Sequence, residues 1–240
     1  VFVIMISMID KICKEEVTVY GYANMKNMTP NPDINSQFNK YPHAISIGIN
    51  IPDEIIDTID ILEIEEKYLQ TYIKINSKLN EIGTKIESIL HEHKYMAKFI
   101  DASSIVSKDK LKGDISHKLV ANLAGLGWIG KSCLLINPYY GPRIRWATII
   151  TDAPLPYAKK QVPSRCGTCR LCSVNCPSHA IKNIEFNEEN SRETRYDAYA
   201  CNDYFNKLEA QNRPRLCGLC IKVCPWGLVN KKSRKKRNLI

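Results

Sequence analysis

The sequence predicts an α+β protein in which a domain of mixed helices and strands is followed by a small cysteine-rich module. Three observations predict this class. Apolar residues alternate with a period of two over residues 44–51, as in a β-strand, and recur at steps of three and four over about residues 63–93, as in an amphipathic helix. Eight of the ten cysteines lie between Cys166 and Cys224. A chain of 240 residues is long enough for one medium domain and a small one.

The predicted helix of residues 63–93 has one continuous apolar face. Seven side chains share that face, namely Tyr68, Tyr72, Ile75, Leu79, Ile82, Ile86 and Ile89. Packing over a sheet is the commoner use of such a helix, and coiled-coil pairing is the alternative. The strand of residues 44–51 is a candidate for that sheet.

A second helix is predicted to begin near Ser116 and to lead into a glycine-rich segment, residues 124–131. Three glycines within six residues predict a turn at which the backbone passes close to another group. Two strands are predicted to follow, at residues 134–136 and 144–151, joined by a connection rich in turn-forming residues. Three prolines within residues 153–163 predict a domain boundary. The predicted domains are therefore residues 1–155, residues 156–230 and a basic tail, residues 231–240.

The composition predicts a cytoplasmic protein with no membrane partner. Residues 1–8 are mostly apolar, but the run is too short to cross a bilayer and lacks the small-residue cleavage site of a signal peptide. Six positive charges of the net +9 lie within residues 231–237, so the rest of the chain is only mildly basic. Such a tail predicts either contact with nucleic acid or anionic lipid, or a solvated terminus.

The spacing of the cysteines predicts two [4Fe–4S] clusters. The first run is C-x2-C-x2-C-x3-C-P and ends at Cys176; the second, C-x2-C-x3-C-P, ends at Cys224 and has Cys201 upstream. Two-residue gaps let three sulfurs surround one side of a cubane, and the cysteine before the proline ligates the other cluster. One cluster would then be held by Cys166, Cys169, Cys172 and Cys224, and the other by Cys176, Cys201, Cys217 and Cys220.

Zinc or a single cluster is the alternative to two clusters, although zinc needs only four thiolates for each site. Cys13 and Cys133 fall outside the two runs. They are predicted to be buried free thiols.

Several segments together resemble the epoxyqueuosine reductase family. They are the glycine-rich segment 124–131, residues 134–136, Thr151-Asp152, and the cysteine module with Cys224-Pro225-Trp226. The resemblance implies a nitroreductase-like α/β domain that binds cobalamin, followed by a ferredoxin-like module with two clusters. Reductive dehalogenases are relatives with the same parts. It also implies that the clusters reduce the corrinoid, which then deoxygenates a modified base in tRNA.

The resemblance further implies which residues form the site. Asp101 would donate a proton to the substrate from a partly desolvated pocket. Apart from the resemblance, His117 is the only histidine near the proposed pocket, and it would be a proton donor or a neighbour of cobalt. For these two the alternatives are a surface aspartate and a structural histidine. The residues expected at the corrinoid are Gly125, Gly127, Trp128, Gly130, Lys131 and Tyr72. A tight helix-to-strand turn and a core tryptophan are the alternatives there.

The sequence also departs from the family pattern. The family's helix motif has Asp-Tyr-His before a Lys, whereas this chain has Thr71-Tyr72-Ile73-Lys74, and no helical-repeat domain is present before Ile240. The leading prediction is a corrinoid-dependent iron–sulfur reductase of an electrophilic substrate. A ferredoxin or flavodoxin would be its electron donor, and tRNA or a corrinoid protein a candidate partner. The alternatives are an electron-transfer or corrinoid-reactivating protein without substrate chemistry, and a nucleic-acid-binding module.

Overall fold

The computed structural model describes residues 2–26, 38, 40–59, 62–103, 111–157 and 162–229. The predicted basic tail lies outside these residues. The elements in chain order are α1 (Phe2–Glu16), β1 (Val19–Asn24), β2 (His43–Asn50), α2 (Asp53–Asp57), α3 (Leu62–Glu92), β3 (Ala97–Ile100), α4 (His117–Leu123), β4 (Trp128–Ile129), β5 (Leu135–Ile136), β6 (Ile144–Thr151), α5 (Leu171–Val174), α6 (Ala198–Ala210), α7 (Leu219–Lys222) and α8 (Trp226–Val229).

The chain divides into two compact units, and each is built from separate stretches of sequence. The first unit contains Val1–Ile49, Ile75–Gly127 and Arg145–Val162, and the second contains Asn50–Lys74, Trp128–Ile144 and Pro163–Ile240. The unit that carries the eight clustered cysteines is therefore larger than the predicted module of residues 156–230. The division into functional domains at residues 155 and 230 stays a prediction.

The first unit contains a four-stranded sheet in the order β1-β2-β6-β3. The pairs β1–β2 and β3–β6 are antiparallel. Small Ala44, Ser46 and Gly48 alternate with isoleucines along β2, and both sets are buried because the sheet is covered on both faces at this strand. The strands predicted at residues 44–51 and 144–151 are confirmed.

The long amphipathic helix is confirmed as α3. Of the seven side chains on its predicted apolar face, six are buried and Tyr72 is half-buried. Within the first unit, the Phe99 ring of β3 lies directly against Gly83 of α3, where no side chain would fit. Helix α1, which the sequence did not predict, buries Met5, Ile9 and Cys13.

The second unit has short elements and a small apolar core. Strands β4 and β5 form an antiparallel pair, with Trp128 opposite Ile136. The strand predicted at residues 134–136 is thus confirmed, but its partner lies inside the segment predicted as a turn. Cys176, Ala180 and Ile181 form a buried cluster, and Tyr196, Cys201 and Cys220 pack against it. Cysteines therefore make up much of this core.

The α+β class predicted from the sequence is confirmed, and the nitroreductase-like description of its first part stays a prediction. Nowhere in the described residues does a helix have both the length and the apolar character that crossing a bilayer requires.

Candidate metal centre

Four cysteines, Cys166, Cys169, Cys172 and Cys224, form what we call the first cysteine group. Burial raises the pKa of the Cys224 thiol to about 11, and Cys166 and Cys172 act in the same direction. The pKa of Cys172 is also raised, first by burial and then by Cys166 and Cys169. The last cysteine of the second run therefore lies among the thiols of the first run.

The second cysteine group is Cys176, Cys201, Cys217 and Cys220. Burial raises the pKa of Cys217 to about 11, with smaller effects from Cys201 and Cys176. Burial also raises the pKa of Cys220, and the other three members of the group and Cys172 add to this effect. Apart from Cys172, which lies near Cys220, the thiol neighbours of Cys172, Cys217, Cys220 and Cys224 are those that the crossed assignment predicts. The ligation itself stays a proposal.

The donor set fits cubane iron–sulfur clusters, since four thiolates hold each such cluster. Within the described part of the chain, no three His, Cys, Asp or Glu side chains are arranged to hold a single metal ion. Cys13 and Cys133 are both buried, as predicted, and neither forms a disulfide.

The isolated Cys201 is positioned by the start of α6. Asp197 caps this helix, its side chain accepting a hydrogen bond from the Ala200 amide at 3.0 Å. Burial raises the pKa of the Cys201 thiol, while a hydrogen bond from the Tyr196 side chain lowers it. Tyr196 is therefore a hydrogen-bond donor to a predicted cluster ligand, and the cysteine spacing could not reveal this contact.

Lys131 holds the loop between Cys166 and Cys172, which we call the first cysteine loop. Its Nζ donates to the Gly167 carbonyl oxygen at 2.6 Å and lies 3.4 Å from the Cys169 carbonyl oxygen. Glu185 is 3.9 Å away, and Lys131 is only 7% exposed. The Lys131 ammonium group thus has its polar partners within the protein. In the structure Lys131 supports the first cysteine loop, and its contact with a corrinoid stays a prediction.

Trp128 and Gly130, on the same segment, also contact the cysteine module. Trp128 is 2% exposed and packs edge-to-face on Trp226, with 5.0 Å between the ring centroids. The Arg165 guanidinium lies over both rings. A Cβ on Gly130 would lie 2.7 Å from Ile136 Cγ1 and 3.4 Å from Cys166 Sγ. The close approach predicted for this glycine is therefore to a strand partner and a cluster ligand.

The other residues predicted at the corrinoid also have protein partners. Gly125, with φ +72°, ends α4, where the Leu126 amide bonds the Ala121 carbonyl oxygen as in a Schellman motif. The Gly127 carbonyl oxygen accepts a hydrogen bond from the Asn122 side chain at 2.8 Å. Tyr72 packs edge-to-face on Tyr68. These contacts are those of a tight turn beside a core tryptophan, and the corrinoid contacts expected for the six residues stay predictions.

The two predicted acid–base residues lie in the first unit and are linked. Asp101 is exposed, so the structure does not show the partly desolvated pocket expected for a proton donor. The His117 ring bonds the Asp101 carbonyl oxygen through Nε2 at 3.0 Å and Thr148 Oγ1 through Nδ1 at 2.8 Å. Burial, aided by the charges of Arg145 and Lys118, lowers the pKa of His117 to about 4. His117 is therefore neutral in the folded protein, and its role as a proton donor or a neighbour of cobalt stays a prediction.

Arg143 supports the loop that contains Cys224, a role that no sequence pattern predicted. Its fully buried guanidinium contacts Asp53 at 2.7 Å and Asp57 at 2.8 Å. Gly227, which follows the Cys224-Pro225-Trp226 stretch, packs against Arg143 and Gly141. A Cβ on Gly227 would collide with the Arg143 side chain, and one on Gly141 would collide with the backbone of Gly227. Arg143 thus joins α2 to the end of the second cysteine run.

The fold and the cysteine groups define a class, an iron–sulfur protein with a two-cluster domain. A family model described as "4Fe-4S double cluster binding domain" matches residues 165–227, which contain all eight grouped cysteines.

Comparison with known proteins confirms the resemblance to epoxyqueuosine reductases. The chain is 31% identical over 118 residues to an epoxyqueuosine reductase of Bacillus cereus, which covers 47% of this chain and 30% of that protein. A match to the enzyme of Leadbetterella byssophila extends over 68% of this chain and 47% of the relative, at 29% identity. The chain thus spans less than half the length of these curated relatives.

Solved structures show the same fold at lower sequence identity. A catabolic reductive dehalogenase superposes on 96% of the chain with a TM-score of 0.69 and 18% identity, and the chain covers 33% of it. An epoxyqueuosine reductase in complex with an epoxyqueuosine-modified tRNA-Tyr stem loop superposes on 94% of the chain with a TM-score of 0.59 and 16% identity, and the chain covers 65% of it.

Proposed function

We propose that the chain is an iron–sulfur oxidoreductase of the epoxyqueuosine reductase type, in which two [4Fe–4S] clusters deliver electrons to a corrinoid. The observation that carries this proposal is the sorting of eight cysteines into two groups of four within a double-cluster domain. The similarity to epoxyqueuosine reductases supports the type of reaction. The similarity to reductive dehalogenases supports the nitroreductase-like fold and the corrinoid, whose low-valent cobalt would supply the reducing nucleophile.

The electron donor in this proposal is a cytoplasmic ferredoxin or flavodoxin. Gly130 lies against Cys166, so the cluster of the first cysteine group is the one next to the glycine-rich segment. We assign that cluster to the final electron transfer and the cluster of the second group to the preceding step. The side chains of the glycine-rich segment then support the cluster loop, and no corrinoid contact is assigned to them.

The substrate in this proposal is an epoxide, with epoxyqueuosine in tRNA as the first candidate. Removing an epoxide oxygen as water consumes two electrons and two protons. The clusters supply the electrons, the Asp101 carboxyl supplies one proton, and solvent supplies the other. The basic residues 231–237 would contact tRNA phosphates or remain a solvated terminus.

One observation favours a second candidate function. All six residues predicted at the corrinoid have protein partners. A protein that only passes electrons to a corrinoid held by a partner would need no corrinoid site of its own. Corrinoid retention separates the two functions.

The test uses anaerobically prepared protein supplied with cobalamin and freed from excess by gel filtration. We expect about eight iron and about eight sulfide per chain, retained cobalt, and conversion of an epoxyqueuosine stem loop with titanium(III) citrate as reductant. Cys176→Ala, which removes a cluster ligand, is the control and should abolish conversion. Full clusters without retained cobalt would favour the electron-transfer function, and zinc without sulfide would refute both.

A further inference from the structure

The backbone that follows β3 is held from three sides by side chains of the first unit. The Asp101 carbonyl oxygen accepts a hydrogen bond from His117 Nε2 at 3.0 Å. The Ala102 amide donates to Asn80 Oδ1 at 3.2 Å, and the Ala102 carbonyl oxygen accepts from Arg145 Nη2 at 3.1 Å. We call these two residues, Asp101 and Ala102, the Asp101 turn.

The side chains that hold the turn are themselves fixed. A carbonyl oxygen only accepts, so His117 must carry its proton on Nε2, and its Nδ1 must accept from Thr148 Oγ1 at 2.8 Å. Arg145 Nε donates to Asn76 Oδ1 at 3.1 Å. Thr148 is fully buried and Asn76 is 7% exposed. The supports come from α3, α4 and β6, which are regular elements and not loops.

This arrangement contrasts with the exposure of the Asp101 side chain. Ala102 is buried at 5% exposure, while Asp101 is exposed. A surface aspartate in a loop needs no such support, because water satisfies its peptide groups. Three polar side chains on rigid elements instead fix the position of a carboxyl group that remains accessible.

We propose that Asn80, His117 and Arg145 are positioning residues that hold the Asp101 carboxyl in place as the proton donor. This inference rests on the proposed function. The three residues act on the peptide groups of the Asp101 turn and have no contact with the reacting atoms. A displaced donor lowers the rate of the step it serves, and a displacement of about 1 Å costs up to about 100-fold.

The test compares Asn80→Ala, which removes the acceptor for the Ala102 amide, with Asn80→Asp, which keeps a carboxylate oxygen there. Thr84→Val is the matched control, since the Thr84 hydroxyl, one helical turn further on, bonds only the Asn80 carbonyl oxygen in the structure. Hydrogen exchange of the peptide that contains Ala102 is measured together with kcat and KM on the epoxyqueuosine stem loop. Iron content and thermal unfolding verify that each variant is folded.

For Asn80→Ala we expect faster exchange at Ala102 and a fall in kcat of about tenfold or more, with KM changed less than twofold. Asn80→Asp should restore both values, and Thr84→Val should alter neither. Thr148→Val, which leaves His117 without its hydroxyl donor, should give the same pattern and serves in place of Asn80→Ala if that variant does not fold.

Three results would overturn the inference, and they differ from one another. If exchange at Ala102 rises in Asn80→Ala while kcat stays at the wild-type value and Asp101→Asn is inactive, the positioning role is wrong and the proposed proton donor stands. If Asp101→Asn itself retains full turnover, the proton donor is wrong and the positioning role falls with it. If the wild-type chain does not convert the stem loop, the substrate is wrong, and unchanged exchange in Asn80→Ala would then overturn the support of the turn directly.

Discussion

Lys131 donates a hydrogen bond from Nζ to the carbonyl oxygen of Gly167 at 2.6 Å, which joins the glycine-rich segment to the first cysteine loop. The lysine is buried, and its ammonium group also lies close to the Cys169 carbonyl oxygen. Peptide groups near iron–sulfur clusters fix the ligand loop and tune the cluster. The conspicuous Gly-Lys pair in the sequence therefore serves the cluster module in this structure.

Lys131→Met should weaken the cluster of the first cysteine group. The substitution keeps the length of the side chain but leaves two carbonyl oxygens without their donor, at a cost of about 1–3 kcal/mol. We expect faster loss of iron and of the visible charge-transfer absorption in air. The matched control is Lys182→Met, because Lys182 also donates to a carbonyl oxygen, that of Glu193 at 2.8 Å, but on the exposed surface. Equal rates of iron loss in the two variants would contradict the role of Lys131.

The crossed assignment of ligands is tested by paired substitutions. Cys224→Ala should leave about four of about eight iron atoms per chain. Adding Cys166→Ala should remove no further iron, because both cysteines would serve one cluster, whereas adding Cys217→Ala should remove the rest. Iron and sulfide analysis after anaerobic preparation measures this, and Cys13→Ala should retain all the iron. The opposite order of losses would show that each run binds its own cluster.

The lowered pKa of His117 predicts that the protein becomes less stable as the pH falls. Its pKa is about 4 in the folded protein, below the usual value of about 6.5, so between these values only the unfolded chain binds the proton. The contribution of His117 to the free energy of unfolding is therefore fully present above about pH 6.5 and is lost as the pH falls toward 4. The charged groups Arg145 and Lys118 face the ring and oppose its protonation.

We expect the wild-type chain to lose about 1 kcal/mol more than His117→Gln between pH 7.5 and pH 5.5, since glutamine does not titrate. Denaturant unfolding under anaerobic conditions measures the difference, and comparing two chains with the same cysteines cancels the acid lability of the clusters. A parallel pH dependence in the two chains would mean that His117 is protonated in the folded state.

Periodicity predicted the elements that bury a regular face. Helix α3 and strands β2 and β6 are confirmed because their apolar spacing corresponds to burial in the core. Cysteine spacing predicted the two thiol groups for a similar reason, since the geometry of a cubane constrains neighbours along the chain. These properties depend on residues close together along the chain, so they can be predicted from the sequence alone.

The surroundings of the site could not be predicted in this way. Three closely spaced glycines indicate that something approaches the backbone, but not what approaches. Here Gly125 ends a helix and Gly130 meets Ile136 and Cys166. The contacts of Lys131 with Gly167 and of Arg143 with Asp53 join residues far apart in the sequence. Such contacts depend on the tertiary fold and leave no spacing pattern.

Arg143→Met should destabilise the second unit. The substitution removes the cation that Asp53 and Asp57 both face, and removing one partner of a buried ion pair costs about 3–5 kcal/mol. Because both carboxylates keep some solvent contact, we expect a loss of about 2–4 kcal/mol in denaturant unfolding. Adding Asp53→Asn should restore part of it. Arg215→Met, which removes an exposed pair with Glu209, should cost less than about 1 kcal/mol, and an equal cost in both variants would contradict the prediction.

Gly130→Ala distinguishes the two interpretations of the glycine-rich segment. The sequence alone predicts that a side chain here blocks corrinoid binding and spares the clusters. In the structure the added Cβ would lie 2.7 Å from Ile136 Cγ1 and 3.4 Å from Cys166 Sγ. Overpacking of this kind costs about 1–3 kcal/mol, and the shift that Ile136 forces on the segment would disturb Cys166, which is in van der Waals contact with it. We therefore expect loss of iron from the cluster of the first cysteine group.

A second substitution and a control make this test specific. Adding Ile136→Ala to Gly130→Ala removes the side chain that the new Cβ would meet. The double variant should therefore retain more iron than the summed iron losses of the two single variants predict. Gly167→Ala is the control, because its Cβ would meet nothing within 4 Å and only the positive φ of +50° opposes the change. Iron, sulfide and retained cobalt are measured in each variant supplied with cobalamin. Loss of cobalt from Gly130→Ala with all the iron retained would show that Gly130 lies at the corrinoid, whereas loss of iron that Ile136→Ala partly reverses would show that the glycine is needed because Ile136 of β5 packs against it beside the first cysteine group.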